Sequence, residues 1–204
     1  MKPKGAKVAS AAQDISAVIF DCFGVLAEDG WSPFKREYLN DPVKAAAVRK
    51  VGKAVDEGTV SYEDMIHETA HIAGVPEAVV RAAVEHKVPN EELFAFIREK
   101  LKPHYKIGLL SNASYNVTKL LFNPEHMELF DAAALSYELG LTKPDPAMYQ
   151  AIADRLHLPI SECLLVDDQA RHCAAAIDAG MQAVEYESVA QLRRDLAQAG
   201  VSLK

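Results

Sequence analysis

Four short apolar runs, each closing on polar residues, constrain this chain more than any other feature of its sequence. They are SAVIFD at 16–21, KIGLLSN at 106–112, AAALSY at 132–137 and ECLLVDD at 162–168. Runs of this length suit strands buried on both faces, and helical patterns separate one from the next. Such alternation predicts an α/β fold built on a doubly wound, Rossmann-like parallel sheet.

The helix signals between the runs are specific. Asp145 followed by Pro146 gives an N-cap and a first-turn proline before MYQAIADRL, and Asn90 caps EELFAFIREKL. Ser188 with Gln191 forms a capping box for a last helix that stops near Gly200. From about Gly30 to Pro89 the alternation lapses, and every periodic segment is helical (VKAAAVRKVGKAV, SYEDMIHETAHIA, EAVVRAAVEHK). The expected organisation is therefore a flexible tail at 1–14, a Rossmann-like core at 15–29 and 90–204, and a helical cap at 30–89. Gly30 and the Val88-Pro89 turn serve as hinges in this reading, so that the cap moves as a lid.

Composition narrows the class of function. Twenty-two Lys plus Arg against 29 Asp plus Glu leave a formal net charge of −7, which repels nucleic acid and anionic membranes. Three cysteines are too few for a disulfide framework and fit a cytoplasmic setting. No apolar stretch approaches the roughly 20 residues of a membrane span, and the N-terminus lacks the apolar stretch of a signal peptide. A small-molecule partner is the expectation, with neither nucleic acid nor membrane.

In an open parallel sheet, ligands bind outside the carboxyl ends of the strands. At that edge Asp21 ends the first run, Ser111 and Asn112 the second, and Asp167 and Asp168 the fourth. Carboxylates brought together repel and shift one another's titration, which a divalent cation resolves. Mg²⁺ is the natural candidate because it takes oxygen ligands from one or two carboxylates, water and phosphate. Lys143, in LTKPDP, adds a fixed positive charge. Taken singly, the residues have plainer readings: Asp168 capping the helix after it, Ser111 and Asn112 making a turn, Lys143 solvated.

The series IFDCFGVL (19–26), LLSN (109–112), GLTKPDPAMY (140–149) and LLVDDQARHCAAAIDAGM (164–181) resembles the four ordered motifs of the haloacid dehalogenase superfamily of hydrolases. Within it the chain is similar to the subgroup with a small helical cap, which includes α-D-glucose-1-phosphate phosphatases and the N-terminal domains of epoxide hydrolases. The resemblance implies a phosphatase in which Asp21 is the nucleophile and forms an aspartyl-phosphate. It implies that Ser111 and Asn112, with Phe23 and Gly24, hold the transferring group and that Lys143 neutralises charge. It further implies Mg²⁺ held by Asp21, the Phe23 carbonyl and Asp168, with Asp167 behind them, and a small phosphorylated substrate.

Two positions depart from the family pattern. Phosphatases of the superfamily carry a second Asp two residues after the nucleophile, as general acid and base, and here that position is Phe23. Loss of such a group typically costs about 10²–10⁴ in rate. The departure leaves three outcomes: a phosphatase for good leaving groups such as anomeric sugar phosphates or acyl phosphates, a 2-haloacid dehalogenase, or a non-catalytic module. Asp167 and Asp168 weigh against the dehalogenase, because two acids repel a carboxylate substrate. The second departure is His172, where the motif normally has Asn; it reads as a supporting or surface hydrogen-bonding group in the first turn of the next helix, not a catalytic one.

One further motif has its own chemistry. His67-Glu68-Thr69-Ala70-His71 fits H-E-x-x-H, the ligand pattern of zinc proteases. Gly74 as C-cap, Pro76 starting another helix and Met65 and Ile72 available for packing favour a structural helix instead. Trp31 either packs the cap or covers the site.

Overall fold

The computed structural model describes residues 14–56, 59–113 and 121–203. All but the last residue of the expected N-terminal tail lies outside them. The chain divides into two compact units, residues 28–88 and the remainder.

In chain order, strand β1 (Ala17–Phe20) is followed by a tight turn and by β2 (Ala27–Asp29). Helices α1 (Trp31–Tyr38), α2 (Pro42–Asp56), α3 (Tyr62–Ala73) and α4 (Glu77–Glu85) come next, and β3 (Lys87–Pro89) pairs with β2. Helix α5 (Glu91–Phe96) widens into a π-type turn at Ile97–Leu101, closed by the bond from Lys102 N–H to the Ile97 carbonyl (2.8 Å). Strand β4 (Lys106–Ser111), short helix α6 (Pro124–Met127), β5 (Ala132–Leu135) and short helix α7 (Ser136–Leu139) lead to α8 (Pro146–Leu156). The chain ends with β6 (Cys163–Asp167), α9 (Ala170–Asp178), β7 (Gln182–Glu185) and α10 (Val189–Gln198).

Five strands form one parallel sheet in the order β5-β4-β1-β6-β7, with β1 at its centre. All four β1 residues are buried, and their alternation supplies both faces. Val18 and Phe20 join Leu93, Phe94, Ile97, Leu192 and Leu196, so α5 and α10 cover one face. Ala17 and Ile19 join Met148, Tyr149, Ile152 and Ala176, so α8 and α9 cover the other. This is the doubly wound arrangement that the apolar runs predict.

The caps form where the sequence places them. Asp145 accepts from Ala147 N–H (2.9 Å), Asn90 from Leu93 N–H (3.1 Å) and Ser188 from Gln191 N–H (3.2 Å), with the Gln191 amide completing the capping box. Asn90 also donates to the Val25 carbonyl (3.1 Å) and the Tyr186 hydroxyl (2.9 Å), tying α5 to the turn after β1. Two expectations shift. The run at 132–137 keeps its strand only to Leu135, and β7, whose Gln182–Glu185 segment is short and half polar, was not visible as an apolar run.

Residues 28–88 have a core of their own. Phe34, Leu39, Val48, Ile66, Ala70, Ala73 and Val80 are buried together, and Trp31 stacks on Phe34 with ring centroids 5.2 Å apart. Trp31 therefore serves the packing of this unit. Helix α3 starts at Ser61, which accepts from Asp64 N–H (3.1 Å), and stops at Gly74, whose φ of 79° is the left-handed value that ends helices. Among the described residues, no helix is long and apolar enough to cross a membrane.

Leu165 lies fully buried in β6, whereas Val43 is 78% exposed on α2. Leu165→Ala should therefore cost about 2–5 kcal/mol in urea unfolding, and Val43→Ala should stay within about 0.5 kcal/mol of the wild type.

Candidate active site

Strand register assembles the site. Phe20 is level with Leu109 of β4 on one side and with Val166 of β6 on the other. Asp21 and Asp167 each lie one residue beyond that row and Ser111 two, so all three reach the same edge of the sheet. Backbone bonds then hold Asp21 in place: its N–H donates to the Val166 carbonyl (2.9 Å), and its own carbonyl accepts from Leu26 N–H (3.4 Å). Asp21 thus sits at the head of a closed turn.

Lys143 is the centre of the polar cluster. Its ammonium lies 2.9 Å from Asp21 Oδ1 and 2.6 Å from Asp167 Oδ2, and Asp21, Lys143 and Asp167 are 5%, 3% and 0% exposed. Burial works to strip the lysine of its proton, but Asp21 and Asp167 outweigh it and raise Lys143 above the ordinary range. Burial likewise pushes Asp21 from 3.8 up to about 6, with Asp167 adding to the rise and Lys143 opposing it. Burial also pushes Asp167 up, yet hydrogen bonding to His172 and the Lys143 ammonium together hold it below the usual carboxylate range.

Oxygens of Asp21 and Asp167 and a ring nitrogen of His172 all lie within 4.8 Å of one another, the one such group of metal-ligating side chains among the described residues. That group already holds a cation, because Lys143 Nζ bridges the two carboxylates. The oxygens of Asp167 are also engaged: Oδ1 accepts from Gln169 N–H (2.9 Å) and faces His172 Nδ1 (3.0 Å), and Oδ2 takes the lysine.

Asp168 packs against the turn after β1. Gly24 has a φ of 83°, and a Cβ built on it would lie 2.7 Å from Asp168 Oδ2 and 2.8 Å from its Cγ. The Asp168 carboxylate is therefore pressed against the turn that carries Asp21, Phe23 and Gly24, and only glycine leaves room for it. Asp21 Oδ1 accepts from Cys22 N–H (2.7 Å) and faces the Lys143 ammonium (2.9 Å). Asp21, the Phe23 carbonyl and Asp168 offer oxygen donors of the kind that Mg²⁺ takes.

The remaining predicted residues take distinct places. Ser111 is fully buried, and its Oγ has no hydrogen-bond partner among the described residues, a costly state unless a ligand or water completes it. Asn112 uses both ends of its side-chain amide on one residue: Oδ1 accepts from Lys143 N–H (2.8 Å), and Nδ2 donates to the Lys143 carbonyl (2.9 Å). Asn112 is thus the clamp that sets Lys143. Phe23 is half-buried against the core. Asp168 does not cap α9, whose N-cap is Gln169, and Lys143 is not solvated.

His172 is 2% exposed and bonded to Asp167, a closer tie to the site than a surface group has. Its place in the first turn of α9, five residues after the Asp167 that ends β6, is the available signal. At His67 and His71 the geometry differs: His67 Nδ1 pairs with Glu77 Oε1 (2.8 Å), both exposed, and among the described residues no group of three metal-ligating side chains includes them.

Comparison with known proteins adds to this geometry. A family model for haloacid dehalogenase-like hydrolases matches residues 15–180. A phosphatase of Mycobacterium tuberculosis is 30% identical over 213 residues, covering 93% of this chain and 97% of that one. Among solved structures, a Bacteroides thetaiotaomicron enzyme of the same family, in a magnesium complex, superposes with a TM-score of 0.60 at 22% identity, covering 89% of this chain and 100% of that one. A HAD-like hydrolase of Porphyromonas gingivalis gives a TM-score of 0.60 at 22% identity, covering 90% and 98%. At these identities the two structures speak for the fold.

The titration of Asp21 has a consequence for stability. The unfolded chain releases this proton near 3.8 and the folded chain near 6, so rising pH between those values favours unfolding. In EDTA at pH 8, Asp21→Asn should be more stable than the wild type by at most ~3 kcal/mol, and the difference should shrink toward pH 4. Urea melts at both pH values measure it; equal stability at pH 8 would remove the burial cost assigned to Asp21.

Proposed function

We propose that this chain, which belongs to the haloacid dehalogenase-like hydrolases, is a Mg²⁺-dependent phosphatase acting on a small phosphate ester of the sugar- or acyl-phosphate type. The observation that carries the reading is the buried Asp21–Lys143–Asp167 chain of charges at the sheet edge. It supplies an aspartate anchored through Oδ1 beside a fixed cation.

In this mechanism Asp21 Oδ2 attacks phosphorus in line, forming the O–P bond as the bond to the leaving oxygen breaks. The leaving group departs with the electron pair. Lys143 offsets charge on the nucleophile and the transferring group, and the Ser111 hydroxyl donates to a phosphoryl oxygen in place of the partner it lacks. Water then attacks the aspartyl-phosphate, releasing inorganic phosphate and restoring the Asp21 carboxylate. Asp21, the Phe23 carbonyl and Asp168 would hold Mg²⁺, which when bound neutralises charge on the phosphoryl oxygens. Asp167 supports the site through Lys143.

Phe23 decides the substrate class. Without an acid two residues after Asp21, the leaving oxygen must depart as an anion or take its proton from water. Acyl phosphates and anomeric sugar phosphates tolerate this; ordinary alkyl phosphates do not.

The test is inorganic phosphate release from acetyl phosphate, glucose 1-phosphate, glucose 6-phosphate and p-nitrophenyl phosphate, with Mg²⁺ and with EDTA. Mg²⁺-dependent turnover should favour the activated and anomeric phosphates, and Phe23→Asp should raise turnover on glucose 6-phosphate by up to about 10²-fold. Metal-independent release, or wild-type preference for glucose 6-phosphate, would overturn the assignment.

A further inference from the structure

The mechanism above makes no use of His172, although it is nearly as deeply buried as the charges beside it. Its Nδ1 lies 3.0 Å from Asp167 Oδ1 and 3.2 Å from Oδ2. The backbone beneath the ring is clamped: His172 N–H donates to the Gln169 carbonyl (2.9 Å), and the buried Tyr149 hydroxyl donates to the His172 carbonyl (3.1 Å). Nε2 is buried and has no hydrogen-bond partner among the described residues.

These contacts fix the tautomer. A carboxylate accepts only, so the proton shared with Asp167 belongs to Nδ1, and among the described residues no acceptor meets Nε2. The Nδ1–H then fills a lone pair of a carboxylate with no access to water, where an unfilled one is costly. Asp167 in turn holds Lys143, and Lys143 holds Asp21.

We propose that His172 is a positioning residue of the hydrolytic site, whose Nδ1–H orients Asp167 so that Asp167 seats Lys143 on the nucleophile. The proposal rests on the phosphatase reading for its kinetic consequence, though not for the bond itself. His172 reaches the reaction through two intermediaries, so its loss acts on turnover more than on substrate binding. The ring is not required as such. An asparagine hangs its amide nitrogen from Cγ just as histidine hangs Nδ1, whereas a glutamine places its amide one bond further out, where Nε2 lies.

His172→Asn and His172→Gln therefore separate the two ring nitrogens with side chains that are both polar. On acetyl phosphate with Mg²⁺, His172→Asn should retain kcat within about 3-fold of the wild type. His172→Gln should lose about 10-fold or more, with KM within about 2-fold for both variants. Equal losses in the two variants, or a loss carried by KM, would overturn the proposal. ¹⁵N-histidine NMR of the wild type gives a readout independent of activity. The signal that disappears in His172→Asn should show a proton on Nδ1; an Nδ1 without a proton would overturn the proposal. A wild type silent on phosphate substrates but showing the Nδ1–H signal would reject the phosphatase reading while upholding the contact to Asp167.

Discussion

The ammonium of Lys143, out of water and shared between Asp21 and Asp167, is the interaction on which the rest of the site depends. Taking three charges out of water is expensive, and such clusters rarely add stability relative to a well-packed apolar core. Here the cost is offset by close geometry and by donors that fill the remaining lone pairs: Cys22 N–H on Asp21, Gln169 N–H and His172 on Asp167. The sheet makes this possible, because parallel strands buried on both faces bring Asp21 and Asp167 to one edge with their backbones already bonded. Asn112 completes the frame by gripping the Lys143 peptide from the end of β4.

Much of this was legible in the sequence, and for physical reasons. A strand buried on both faces has to be written as an apolar run, so the polar residues after β1, β4 and β6 announced themselves by breaking it. Caps were equally readable, since Asp145, Ser188 and Asn90 act on backbone groups two or three residues away. What the sequence did not convey were interactions set by tertiary distance. Asn112 meets Lys143 31 residues later, and nothing local distinguishes an amide that clamps a backbone from one that binds a ligand. For His172 the sequence leaves a supporting and a surface role open, because a position in the first turn of a helix can face either the site or solvent. Strand β7 was missed because an edge strand with a polar start and end carries no apolar run.

The two departures from the family pattern have different weight. At position 23 an acid is replaced by an apolar ring packed against the core, so a proton-transfer group is gone and the backbone alone remains useful. At position 172 an amide is replaced by an imidazole that still places a nitrogen on the δ position, 3.0 Å from Asp167 Oδ1. One substitution narrows the chemistry; the other conserves it.

The central claim is that Asp21 becomes covalently phosphorylated. It is tested most directly by acid-quenching the wild type within its first turnovers of acetyl phosphate and Mg²⁺, then measuring peptide masses. The account predicts a hydroxylamine-sensitive adduct of one phosphoryl group on the peptide containing Asp21, absent in Asp21→Asn. Phosphate release without any such adduct, or an adduct on another residue, would contradict it.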